Sequence, residues 1–150
     1  MKTKLVAVTF ALSLGFTLDA AAQVKPEVLV KQRQAAMTLI GKYWGPLGGM
    51  AQGRVPYDNA VVQRNAGYLN ALDKMPWDGF QESTKGEKSA ALPAVWEKAG
   101  EFKQAQERLQ SEVAKLVEVS KGGDEAAVKA QFGAVGKSCG GCHDSFRQKN

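Results

Sequence analysis

Cys139-Gly140-Gly141-Cys142-His143, followed by Asp144-Ser145-Phe146-Arg147, contains both cysteines and the single histidine of the 150-residue chain. A C-x-x-C-H run is the attachment signature of c-type haem, in which both thiols add to porphyrin vinyl groups and the adjacent imidazole becomes an axial ligand of the iron. On a helix Cys139 and Cys142 share a face, so two thioethers clamp one edge of a flat macrocycle while His143 reaches the metal. Three other uses of the motif stand beside this one. A thioredoxin-like redox pair normally opens a helix after a strand, and no strand-rich pattern precedes it here. Zinc needs four ligands, and a second C-x-x-C or a pair of histidines is missing. A plain disulfide leaves the histidine without a purpose.

Outward from this motif the pattern is helical. Asp124 is a good N-cap for a helix from Glu125 to about Lys149, carrying Val128, Phe132, Val135 and the motif itself. Before it, Leu92 to Ser120 gives the longest uninterrupted pattern, with Val95, Trp96, Ala99, Phe102, Leu109, Val113 and Leu116 in steps of three and four. Gly122-Gly123 stops it. Trp77 to Ala91 reads as a long crossover loop, tacked down by Trp77 and Phe80. Tyr57-Asp58 to Leu72 forms another helix, closed by Met75-Pro76 because a residue before proline is pushed out of the α region. The first helix opens at Pro26-Glu27 and runs to about Trp44 or beyond, with Gly45-Pro46 and Gly48-Gly49 expected to kink or end it.

Residues 1–22 read as a secretory signal peptide: Lys2 and Lys4, then a mostly apolar run from Leu5 to Leu18, then Ala20-Ala21-Ala22 as a cleavage site. The apolar run is shorter than the ~20 residues a membrane span needs. A periplasmic protein of one domain, residues 23–150, is expected, and export agrees with covalent haem attachment. Of 20 basic and 15 acidic residues, removal of the signal takes two Lys and one Asp and leaves a net charge of +4. That charge is too diffuse to argue for nucleic acid. Four amphipathic helices with one long connection predict an all-α antiparallel four-helix bundle with the haem in its core.

These residues together resemble class II cytochrome c, and in particular the cytochrome c′ family. The resemblance spans essentially the whole mature chain: Cys139-x-x-Cys142-His143 near the C-terminus, Lys31 to Leu39 in the first helix, Met75-Pro76-Trp77 with Phe80, and Phe132-Gly133-x-Val135-Gly136-x-Ser138. It implies one covalent haem c per chain, with His143 as proximal iron ligand and a distal face built from the first helix. It places Met37 where the family crowds a vacant distal position, Arg33 beside a haem propionate, and Arg147 beside the proximal pocket on the helical face of His143. A guanidinium suits a carboxylate well. An unbound Met37 leaves a site for nitric oxide, or for carbon monoxide more weakly. A Met37 bonded to iron instead makes a low-spin, six-coordinate electron carrier. Neither reading makes the chain an enzyme; a redox partner protein is implied but not named by any residue. The family is often homodimeric through the first two helices, and Val55, Ala60 and Ala66 are the residues proposed for that contact. Trp44, Trp77 and Trp96 are read as bundle core or haem-edge packing.

Overall fold

The computed structural model describes residues 24–149; the expected signal peptide lies outside the described residues. Five helices follow one another: α1 (Pro26–Ala51), α2 (Asn59–Leu72), α3 (Ala94–Glu97), α4 (Ala99–Lys121) and α5 (Glu125–Phe146). Two 3-10 turns, Trp77–Phe80 and Glu82–Thr84, lie in the crossover between α2 and α3. The long helices α1, α2, α4 and α5 form an antiparallel four-helix bundle. Short connections make α1 and α2, and α4 and α5, antiparallel neighbours.

The sequence sets the helix ends. Asp58 caps α2, its carboxylate accepting from the amides of Ala60 and Val61 at 2.9 and 3.1 Å. Asp124 does the same for α5 at Ala126 and Ala127, and Gly123 supplies the positive φ that turns α4 into it. Each cap satisfies amides that have no partner within their own helix.

Residues 45–49 do not end α1. The helix continues through Pro46 to Ala51. Proline removes an amide from the ladder, and Asn65, buried on α2, donates its side-chain amide to the Tyr43 carbonyl at 3.1 Å. Gly48 and Gly49 are buried instead of marking a turn, and a Cβ on Gly49 would stand 3.2 Å from Val55.

The core of the bundle comes from all four long helices: Leu47 and Met50, Val62 and Leu69, Val113 and Leu116, Phe132 and Val135. Met50 is therefore a packing residue. Ala66 is fully buried in this core, which corrects its assignment to an exposed contact face: it lies on the inner stripe of α2, with Val62 and Leu69, while Ala60 and Val55 are exposed. The single helix expected over 92–120 is broken at Lys98, with φ −118° and ψ 45°. The indole N–H of Trp96 is shared between the Phe80 and Gln81 carbonyls at 3.1 Å each, so this short helix answers to the crossover as well as to α4.

Candidate functional site

A cavity of about 410 Å3 opens between α1, the crossover, α4 and α5. That is within the range of about 300–1,000 Å3 usual for cofactor sites. Cys139, Cys142 and His143 line it from α5, Met37 and Arg33 from α1, and Trp77 and Phe80 from the crossover. All six residues singled out in the sequence, Arg147 included, meet in this one space.

The walls are mostly apolar. An aromatic chain runs around one side: Trp77 stacks on Phe80 with ring centroids 6.1 Å apart, Phe80 meets Phe102 at 4.9 Å, and Phe102 meets Phe146 at 5.2 Å. Trp44 lines the cavity too and packs edge-on against Phe132 in the core. Trp96 does not line it. Near Met37 the polar Thr38 hydroxyl is spent on the Gln34 carbonyl at 2.9 Å.

Arg33 is the exception to this apolar lining. It is 3 % exposed, and all its partners are neutral. The guanidinium donates to the Gly79 carbonyl, to the Thr84 hydroxyl at 3.2 Å and to the Ser89 hydroxyl at 2.8 Å. It lies over the Phe80 ring at 4.4 Å, and burial lowers its pKa. Among the described residues no carboxylate pairs with it. A buried charge without a counterion is costly, so the cavity fits a bound group that brings its own carboxylate. The sequence did not reveal the loop residues that aim this arginine. They sit 46 to 56 positions away from it, in a stretch of ordinary Gly, Ser and Thr. Gly79 is the one with a detectable reason: a Cβ there would fall 2.6 Å from Arg33 Cβ and 2.8 Å from the Leu29 carbonyl.

On α5, Cys139 and Cys142 are half-buried and form no disulfide with each other. Burial raises both pKa values, that of Cys142 to about 11, with Cys139 adding to the rise. Redox-active C-x-x-C pairs work through thiols whose pKa is lowered, so the environment opposes that reading. Among the described residues no cluster of three or more His, Cys, Asp or Glu can hold a metal, which leaves the zinc reading without ligands. Burial and the nearby Arg147 lower the His143 pKa against the pull of Asp144. A neutral imidazole is the form that ligates metal.

Arg147 corrects one expectation. It lies beside His143 at the cavity as the C-cap of α5, its amide donating to the His143 carbonyl at 3.2 Å, but α5 ends at Phe146 short of the expected Lys149, and Arg147 is extended, φ −127° and ψ 140°. A better arrangement for the backbone replaces the last turn: Arg147 forms a bridge with Ala91, the Leu92 amide donates to Phe146 at 2.9 Å, and the Gln148 amide to Ala90 at 2.8 Å. Ser89, which holds Arg33, directly precedes this paired segment.

A family model described as cytochrome C′ matches residues 28–147. The chain belongs to the cytochrome c′ family. It is a c-type haem protein, as the family carries covalent haem c. The cytochrome c′ of Rubrivivax gelatinosus is 40% identical over 126 residues, covering 83% of this chain and 98% of that protein. The cytochrome c′ of Alcaligenes xylosoxydans is 39% identical over 125 residues, covering 83% and 97%. Among solved structures, a nitric oxide complex of a variant cytochrome c prime from Alcaligenes xylosoxidans superimposes with a TM-score of 0.77 at 38% identity, over 85% of this chain and 98% of that one. The crossover, through Trp77 and Phe80, forms part of the cavity wall.

Proposed function

We propose that this protein is a periplasmic haem protein that binds nitric oxide, and carbon monoxide more weakly, and exchanges electrons, with residues 23–150 as its mature domain. The observation that carries the reading is the set of groups facing one apolar cavity: two thiols and an imidazole from α5, a thioether from α1, and a buried arginine without a carboxylate. Cys139 and Cys142 hold the haem covalently, His143 supplies the proximal ligand, and Arg33 receives a propionate. When bound, the haem supplies an iron centre that takes up one electron or one small diatomic ligand. Met37 stands on the distal side and limits what enters. With the Thr38 hydroxyl already committed to the Gln34 carbonyl, the surroundings of Met37 are poor in donors for polarised dioxygen, which favours nitric oxide and carbon monoxide. Arg147 disfavours the protonated form of His143 and so keeps its imidazole neutral and available as a ligand. Each of these roles is binding or positioning, so the protein acts as a carrier or a sink and not as an enzyme.

The nitric oxide complexes of relatives 38–39% identical to this chain support the gas-binding part. No helix among the described residues is long and apolar enough to cross a membrane, in keeping with export as a free domain. A second reading has its own observation: Met37 lines the same cavity as His143, and ligation by both gives a six-coordinate electron carrier with raised potential. Optical and paramagnetic resonance spectra of ferric and ferrous protein, before and after nitric oxide, decide between them. High-spin or mixed-spin ferric iron and a new nitrosyl species are expected. A low-spin spectrum with a sulfur-to-iron band, unchanged by nitric oxide, selects Met37 ligation.

A further inference from the structure

Asp73 closes α2 and is 1 % exposed, yet neither of its carboxyl oxygens has a hydrogen-bond partner. The polar side chains that reach this residue go to its backbone. The indole N–H of Trp77 and the side-chain amide of Gln110 both donate to the Asp73 carbonyl. Trp77 is a wall of the cofactor cavity, so Asp73 stands directly behind that wall and is tied to it. The charged residues of the surrounding elements, Arg64 on α2, Lys74 and Asp78 in the crossover, and Glu107 and Arg108 on α4, are exposed. Lys74 is the one whose field acts on the carboxyl.

We propose that Asp73 is a proton-binding site built into the cavity wall, and that its occupancy is linked to the charge of the group bound in the cavity. This rests on the haem reading above. A buried carboxyl without donors favours its neutral form, and burial pushes Asp73 up to about 6, with Lys74 opposing. When the bound group gains one electron from a one-electron donor, added negative charge raises the proton affinity of a neighbouring carboxylate. Asp73 then takes a proton from solvent; one O–H bond forms and the carboxylate becomes neutral. Oxidation returns that proton.

The test is a potentiometric titration of purified holoprotein between pH 5 and 8, comparing the natural chain with Asp73→Asn and Asp73→Glu. The natural protein should show a potential that falls as pH rises, with an inflection near pH 6. Asp73→Asn should lose that inflection and Asp73→Glu should keep one. Every other titrating group is common to all three proteins, so the difference between their profiles isolates Asp73. Identical pH profiles in the natural protein and Asp73→Asn overturn the proposal. Should Asp73→Asn not fold, a reduced-minus-oxidised infrared difference spectrum of the natural protein near pH 6 serves instead: a gained band of a protonated, non-hydrogen-bonded carboxyl supports the linkage, and its absence overturns it. Lack of a covalent haem spectrum would overturn the underlying haem reading, a separate outcome.

Discussion

Asp73 also makes a prediction about folding. In the unfolded chain its carboxyl ionises near the ordinary value of ~3.9, whereas in the fold it holds its proton up to about 6. The folded state therefore binds more protons between these values, and stability falls as pH rises from ~4 to ~6, then stays level. A rise of this size, with the opposing Lys74 field already in it, corresponds to about 3 kcal/mol. Asp73→Asn should thus match the natural protein in urea midpoint near pH 4 and exceed it at pH 7. Equal midpoints at pH 7 would sink this account. Sequence could not mark Asp73, because an aspartate after a helix reads as a solvated C-terminal residue until the packing around it is known. Cys139, Cys142 and His143 were legible for the opposite reason, since their chemistry lies in spacing alone. Arg33 and Met37 came from resemblance, and the cavity brings both to the same space as the motif.

At the level of elements, caps and breakers at Asp58, Asp124, Pro76 and Gly123 marked the four long helices and most of their boundaries, though not the break at Lys98. The misses share a cause: a tertiary partner overrode a local signal. Pro46 reads as a helix end, but α1 continues through it into the core, where Asn65 from α2 ties down the neighbouring Tyr43 carbonyl. Lys98 reads as mid-helix, but the two carbonyls that take the Trp96 indole belong to the crossover. The last turn of α5 reads as helix to Lys149, but pairing with residues 90–92 takes it away. Asn65→Ala should cost about 1–3 kcal/mol, the usual penalty for orphaning a buried polar group. It should also speed amide exchange in α1 around Leu47. Unchanged urea midpoint and exchange would show that the Asn65–Tyr43 bond contributes nothing to α1.

For the whole molecule, the apolar residues left outside the core have a pattern. Val28 and Leu39 on α1, Val55 between the helices and Tyr68 on α2 are 37–46 % exposed, and Tyr68 lies against Tyr43 with centroids 4.6 Å apart. We expect a homodimer through this α1–α2 face. Leu39→Glu should convert a dimer to monomer in sedimentation at micromolar concentration while leaving the haem spectrum unchanged; a natural protein that sediments as a monomer would refute the contact. The opposite face of α1 carries the other consequence. Since Gly79, Thr84 and Ser89 give Arg33 only neutral partners, the role proposed for it has the fold select a tetrapyrrole in its free-acid form. On that proposal, a porphyrin whose carboxylates were capped as esters would fit the same shape and still load poorly, because it would leave an entombed cation with nothing to answer it.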